Sequence, residues 1–200
     1  MAGGGTRVRE RDAWLCFADE SGQGLRPPRA RTWSPRGTTP VVRVTGRGGG
    51  RVSLVSAVCC RPGERTRLVY RMLVRHPGRR GEKKGFQERD LAAFLDAVHQ
   101  ELGCRPIVLV WDDSTQHTDR AMRALLAARS WLAVFHFPPC APDLNPGEGV
   151  WASPKKTPAD LAACTTDQLA ALIRTRLKRM QYRPGLLDGF IAETGLVLTL

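Results

Sequence analysis

Two apolar runs of the sequence, residues 14–18 and 107–111, each end in a pair of acidic residues. The pairs are Asp19 with Glu20 and Asp112 with Asp113. An uninterrupted apolar run of this length predicts a strand that is buried on both faces. Because side chains alternate along a strand, only one acid of each pair can face a shared site.

A third acid stands in a segment that has the features of a helix start. Asn145 is placed as N-cap, Pro146 as the first helical residue and Glu148 as the third. Two plainer interpretations remain open. Asn145 and Glu148 also form a capping box, and paired acids after a strand are common turn formers. The joint occurrence of all three acidic segments favours a metal site.

Three carboxylates that converge on one point need a cation, because like charges at short range raise one another's pKa. We expect Asp19, Asp112 and Glu148 to provide hard oxygen ligands for Mg²⁺. Two such ions, about 3.5–4 Å apart, would clamp the attacking and leaving oxygens of an in-line phosphoryl displacement. The expected substrate is a nucleic-acid backbone.

The charge of the chain supports a polyanionic partner. Lys and Arg number 31 against 19 Asp and Glu, giving a net charge of +12. Such a balance is typical of nucleic-acid binding, although a coding bias towards Arg would produce it too. Residues 21–63 contain no acid. There we expect DNA contacts from Arg29, Arg31, Trp33, Arg36, Arg43, Arg47 and Arg51; the alternative is a solvated loop.

The order of predicted elements indicates an α/β fold. A hairpin of strands 41–45 and 51–60 and a strand 67–74 follow the first strand. The remaining elements alternate between helices and strands. They are helix 86–102, strand 107–111, a helix capped by Thr118, strand 131–137 and helix 166–180. This order predicts a mixed five-stranded sheet flanked by helices. If the two acid-ended strands are parallel neighbours about 4.8 Å apart, Asp19 and Asp112 reach one site.

The remaining segments indicate a single catalytic domain, 14–200, after a disordered basic leader, 1–13. Six cysteines show no C-x-x-C spacing, and no signal peptide or membrane-spanning run is present. We therefore expect a cytoplasmic, nucleoid-associated protein with reduced thiols and no membrane partner.

Four motifs resemble those of a known family. They are F-A-D-E-S-G (17–22), R-T-W-S-P-R-G-T-T-P (31–40), V-L-V-W-D-D-S-T-Q-H (108–117) and A-P-D-L-N-P-G-E-G-V-W (141–151). The chain resembles the DDE transposases of the Tc/mariner superfamily, and within it the bacterial insertion-sequence-630 group. The resemblance implies an RNase H-like fold, two Mg²⁺ ions for which Mn²⁺ can substitute, DNA cleavage at element ends and strand transfer into TA targets.

The resemblance also assigns roles to individual residues. The catalytic, metal-binding acids are Asp19, Asp112 and Glu148. Glu20, Asp113 and His117 are expected to support them without touching the ions. Asp113 departs from the family, which usually has Asn there, and His117 has a purely structural role as its alternative.

Two departures from the family shape the expected activity. No helix-turn-helix module precedes Asp19, so we expect a homodimer in a DNA synapse with a separately encoded helix-turn-helix subunit. The helix that carries Glu148 is expected to be poorly supported, because Gly147 and Gly149 cost about 1 kcal/mol each in a helix interior and Pro154 follows. Weak nuclease activity is the expected result.

Three other functions remain open. One is a non-catalytic DNA-binding relic of a transposase, and another is a different RNase H-like nuclease. The third is a general acid/base hydrolase that uses His117. It would need a nucleophile near this histidine, and the sequence has no G-x-S-x-G elbow there.

Overall fold

The computed structural model describes residues 12–25, 35–37, 50–138, 141–152 and 165–196. Five of the expected DNA contacts lie outside these residues: Arg29, Arg31, Trp33, Arg43 and Arg47. Residues 1–11 of the expected leader and the expected strand 41–45 also lie outside them. Among the described helices, none is long and apolar enough to cross a bilayer.

Five strands form one sheet, in the order β3-β2-β1-β4-β5. They are β1 (Trp14–Gly24), β2 (Arg51–Cys60), β3 (Arg67–Arg75), β4 (Ile107–Trp111) and β5 (Leu132–His136). β2 runs antiparallel to both β1 and β3, whereas β4 is parallel to β1 and to β5. The prediction of a mixed five-stranded sheet is confirmed.

Six α-helices and one 3-10 turn are described. They are α1 (Glu88–Glu101), α2 (Thr115–Thr118), α3 (Arg120–Ala127), the turn Pro142–Leu144, α4 (Gly147–Ala152), α5 (Thr166–Gln181) and α6 (Pro184–Glu193). One cap was predicted wrongly. Thr118 ends α2, and Asp119 caps α3 by accepting a hydrogen bond from the Met122 amide at 2.6 Å. The reason is that a carboxylate is at least as good an N-cap acceptor as a threonine hydroxyl.

The predicted hairpin of residues 41–45 with 51–60 is wrong. β2 is paired along its whole length, with β1 on one side and β3 on the other, so neither edge is open to a third strand. The first strand is also longer than its apolar run. It continues through polar residues to Gly24, because residues 19–24 find backbone partners on β2. The Asp19-Glu20 pair therefore lies inside a strand and not at its end.

The two faces of the sheet carry separate cores, and this division positions the site. Phe17 packs with α5 and α6 on one face, whereas Cys16 and Ala18 pack with α1 and α3 on the other. Alternation along β1 then places Asp19 on the α5 face and Glu20 on the α1 face.

Candidate active site

Asp19 and Asp112 lie level with each other on neighbouring parallel strands. The register of β1 with β4 pairs Phe17 with Val110. Two further residues along both chains bring Asp19 opposite Asp112. The predicted adjacency of the two acid-ended strands is confirmed, and it places both carboxylates where β4 ends.

A cavity of about 370 Å³ lies at this point. Asp19 reaches it from β1, Asp112 from the loop after β4, and Glu148 from α4. Asp113 lines it as well. The other lining residues are Ser114, Phe137, Pro138, Ala141, Pro142 and Asn145. The fold thus brings together three acids that are separated by most of the sequence.

The start of α4 turns Glu148 towards the cavity. The side-chain Oδ1 of Asn145 accepts a hydrogen bond from the Gly147 amide at 2.9 Å. The Asn145 amide itself donates to the Pro142 carbonyl at 2.9 Å. In a capping box, Glu148 would accept a bond from that amide, which already has a partner. The Glu148 carboxylate is exposed and available to the cavity.

The glycines of α4 allow close packing, and this corrects the expectation of a poorly supported helix. A Cβ on Gly147 would lie 2.7 Å from the Cβ of Asp19, and one on Gly149 would lie 2.5 Å from the Phe190 ring. Only glycine permits these approaches. Val150 and Trp151 are fully buried in the core beneath. Packing therefore holds α4 where helix propensity alone would not.

Asp19 is a half-buried carboxylate that accepts hydrogen bonds from two donors. The Glu20 amide donates to its Oδ1 at 2.8 Å, and the Trp151 indole Nε1 donates to its Oδ2 at 2.9 Å. Burial raises the pKa of Asp19 to about 7, and the nearby charges of Glu148 and Asp112 add to this rise. The two donors act against it without cancelling it.

The bond between Trp151 and Asp19 was not predicted from the sequence. Trp151 is 1% exposed in the core, and its indole also fixes the Asp19 carboxylate. Two signals could have indicated this. Trp151 follows Glu148 by three residues and so lies on the same side of the helix, and a buried indole N–H generally finds an acceptor.

His117 joins Asp112 to Glu20. Its Nδ1 is hydrogen-bonded to Oδ1 of Asp112, and its Nε2 lies 2.8 Å from Oε1 of Glu20. The ring packs against Trp111 with centroids 3.8 Å apart and the ring planes tilted by 31°. Burial disfavours the charged imidazole, but the bonds to the two carboxylates outweigh it and raise the pKa of His117 to about 9. A protonated His117 therefore holds both carboxylates at neutral pH.

The same hydrogen bond acts on Asp112 in the opposite sense. Its bond with His117 lowers the pKa of Asp112 below the usual range, although partial burial opposes this. Asp113 makes a looser contact, with its Oδ1 3.9 Å from Nδ1 of His136. Of the three expected supporting residues, Glu20 and His117 thus form one network with Asp112, and Asp113 stands apart from it.

The acids fit a hard divalent cation in donor type but do not yet surround one point. Three carboxylates share a cavity, and their mutual repulsion contributes to the raised pKa of Asp19. Oxygen donors of this kind suit Mg²⁺ or Mn²⁺. Within the described ranges, however, no three His, Cys, Asp or Glu side chains are close enough to hold a metal ion. Binding would require the acids to draw in around the ion.

Two of the expected DNA contacts are described. Arg51 is the exposed first residue of β2, and Arg36 is exposed in the short segment 35–37. Neither lines the cavity that holds the three acids.

Several solved structures share the fold at low sequence identity. The crystal structure of a pre-cleavage Mos1 transpososome matches with a TM-score of 0.58 and 16% identity, over 97% of this chain and 60% of that one. The Mos1 mariner paired end complex with Mg matches with 0.58 and 18%, over 97% and 60%. The catalytic domain of Mos1 mariner transposase matches with 0.51 and 15%, over 97% and 89%.

These likenesses confirm the RNase H-like fold. The chain spans about 60% of the length of the first two Mos1 chains. None of the curated proteins compared matches the sequence. The sequence profile described as DDE superfamily endonuclease, however, matches residues 14–170. Since this match covers more than half of the sequence, the chain belongs to the DDE superfamily endonuclease family.

Proposed function

We propose that the chain is the catalytic domain of a DDE transposase that cuts and joins DNA strands. Asp19, Asp112 and Glu148 would be its catalytic, metal-binding residues. The observation that carries this proposal is the shared cavity, into which three elements distant in sequence each direct one carboxylate. Membership of the DDE endonuclease family agrees with it. On the motifs quoted above, we assign the chain to the insertion-sequence-630 group and its residues 14–200 to one catalytic domain.

Each acid would contribute differently to holding the metal ions. His117 keeps Asp112 ionised and fixed in direction, whereas the Trp151 indole and the Glu20 amide orient Asp19. Because burial raises the pKa of Asp19 to about 7, this carboxyl is protonated in part at neutral pH. The protonated form must lose its proton before it can bind a cation. Two Mg²⁺ ions, when bound, would stabilise the attacking and leaving oxygens at the scissile phosphate.

The partner of this site would be DNA. The net charge of +12 favours a polyanion, and the similar Mos1 structures include a transpososome and a paired end complex. We infer that the chain acts as a homodimer in a DNA synapse.

Cleavage of supercoiled plasmid with Mg²⁺, with Mn²⁺ and with EDTA tests the proposal. We expect cleavage in either metal and none in EDTA. Asp19→Asn, Asp112→Asn and Glu148→Gln should each abolish it. Asp143→Asn is a matched control, because Asp143 is an exposed acid of the neighbouring turn that does not line this cavity. Cleavage that survives in all three variants would end the assignment.

One observation favours a second candidate, a DNA-binding relic without catalysis. The described carboxylates share a cavity but are not close enough to hold a metal ion as they stand. A relic would bind DNA in EDTA with steep salt dependence and would cleave in no metal. The same plasmid assay, combined with a binding assay, separates the two candidates.

A further inference from the structure

A second cleft lies on the α1 side of the sheet, beside the part of β1 that extends beyond β4. Its volume is about 250 Å³. Two strands and the loop that precedes α1 enclose it. The residues that define it are Glu20, Gly22, Arg51, Ser53, Lys84 and Phe86. Past Phe17, β1 has no further pairing with β4, and among the described residues its extension pairs with β2 alone. This extension lies at the end of the sheet where the three acids lie.

The uncompensated charge of this cleft is positive. Arg51 and Lys84 are both exposed, and within the described part of the chain neither forms an ion pair with a carboxylate. Glu20 lines the same cleft, but His117 already engages it at 2.8 Å. The two cations therefore remain available to an anion.

Gly22 allows the Arg51 guanidinium to lie across β1. A Cβ on Gly22 would stand 2.2 Å from Nη2 of Arg51 and 2.7 Å from its Cζ. The two residues lie on adjacent strands, since the register pairs Gly24 with Arg51. The guanidinium is thus held over the strand, inside the cleft, in a space that any other residue at position 22 would fill.

We propose that this cleft binds a backbone phosphate of the DNA strand through Arg51 and Lys84. A guanidinium can grip a phosphate with two parallel hydrogen bonds, and an ammonium adds a point charge. Glu20 connects the cleft to the catalytic cavity, because it shares His117 with Asp112. The inference rests on the proposed function, for which it supplies a phosphate subsite on the DNA path next to the acids.

Fluorescence anisotropy with labelled duplex DNA, in EDTA and over a range of salt concentrations, tests this site. Arg51→Ala and Lys84→Ala should each weaken binding about tenfold, as expected for one charge-assisted contact. Each should also reduce the slope of log affinity against log salt by about 1. Arg123→Ala is the matched control, because Arg123 is an exposed arginine on α3 that does not line the cleft. It should leave affinity and slope as in the wild type.

Gly22→Ala tests the geometry separately from the charge. Its methyl group displaces only the flexible end of Arg51, so the fold should be retained, as circular dichroism can verify. Binding should weaken in the same direction as in Arg51→Ala. If the effect acts through Arg51, then Gly22→Ala should weaken binding no further when Arg51 is already Ala.

Two results would overturn the site. One is wild-type affinity and salt slope in both Arg51→Ala and Lys84→Ala. The other is complete displacement of DNA by inorganic phosphate at matched ionic strength, which would identify a free-anion site. Because binding is measured in EDTA, neither result depends on cleavage. A chain that binds DNA through this cleft but cuts in no metal would refute only the proposed function.

Discussion

Asp19 and Asp112 are the same residue type in the same cavity, yet their surroundings are opposite. Asp19 lies within β1 beneath α4, and burial raises its pKa to about 7. Asp112 follows the end of β4 with its side chain 51% exposed, and its bond with His117 lowers its pKa. The difference arises because β1 continues past the point where β4 stops.

This contrast gives the two carboxylates different roles in cation binding. Asp112 is ionised at every pH near neutrality and is a permanent anchor for a cation. Asp19 is protonated in part at pH 7, and positive charge that enters the cavity shifts it towards the ionised form. Groups whose environments separate their pKa values in this way commonly have distinct roles in catalysis. We therefore expect cation binding in this cavity to be coupled to the loss of a proton from Asp19.

The largest effect should be the loss of cleavage in both Asp19→Asn and Asp112→Asn. Each substitution keeps the side-chain shape and removes a carboxylate, so the rate should fall by about 10³-fold or more. Plasmid cleavage in Mg²⁺ measures it. Activity retained in one of the two variants would show that the cavity needs only the other acid, and the comparison would fail.

Asp19→Asn and Asp112→Asn should also differ in their effects on the free energy of unfolding, which urea unfolding in EDTA measures. The folded-state pKa of Asp19 is raised from 3.8 to about 7, so the native state holds a proton that the unfolded state has lost. The free energy of unfolding should therefore fall as pH rises from about 4 to 7, by on the order of 4 kcal/mol. Asp19→Asn should remove this fall.

Asp112→Asn should act in the other direction. A lowered pKa means that ionised Asp112 contributes stability above pH 3.8 and loses it as pH falls through the folded value. Removing its charge should destabilise the protein at neutral pH, since His117 would lose a partner. Parallel pH curves for the wild type and Asp19→Asn would contradict the assignment of a raised pKa to Asp19.

Sequence reasoning located the acids better than it described their surroundings. Local patterns predicted that Asp19, Asp112 and Glu148 would lie together, because the ends of apolar runs and the starts of helices are recognisable from adjacent residues. The shared cavity agrees with this, and the catalytic role of the three acids stays a prediction. The extension of β1 to Gly24 was missed, since polar residues 19–24 have no apolar alternation and form a strand only because β2 lies beside them.

Contacts between distant residues were the least predictable. The Trp151 bond to Asp19 joins positions 132 residues apart. The Glu20 bond to His117 joins positions 97 apart. The spacing of Trp151 from Glu148 indicates only which side of the helix the indole faces. Which acceptor each donor meets depends on how α4 packs on β1 and on β4 lying beside β1, and neighbouring residues do not specify this. The hairpin was predicted wrongly for the same reason: local turn chemistry cannot show that both edges of β2 are already paired.

His117 should matter to activity less than the acids but more than a surface histidine. His117→Gln removes the cation that orients Asp112, and the loss of such a supporting contact typically reduces activity by about 10- to 100-fold. His136→Gln is the control, because His136 lies 3.0 Å from the Asp112 backbone carbonyl and does not hold its carboxylate. Cleavage rates of the two variants in Mg²⁺ provide the measurement. Equal effects would show that His117 is only structural.

A pH series on His117→Gln sharpens this result. Since the folded pKa of His117 is raised from 6.5 to about 9, its stabilising effect should be complete below pH 6.5 and lost as pH rises through 9. The variant should therefore be less stable than the wild type at pH 6, with the difference shrinking towards pH 10. A constant difference would mean that lost packing on Trp111, and not charge, explains the variant.

The smallest effect should come from Trp151→Phe, which keeps an aromatic ring and removes the donor to Asp19. Without that bond Oδ2 of the ionised carboxylate loses its donor, at a cost of about 1–3 kcal/mol in the free energy of unfolding, although the Glu20 amide still donates to Oδ1. Trp14→Phe corrects for the lost ring volume, because Trp14 is equally buried and its indole N–H has no hydrogen-bond partner among the described residues. The excess cost of Trp151→Phe over Trp14→Phe should be larger at pH 8, where Asp19 is ionised, than at pH 5, where it is protonated. An excess that is the same at both pH values would mean that the indole stabilises the fold without acting on the charge of Asp19, and the contrast with Asp112 would then rest on burial alone.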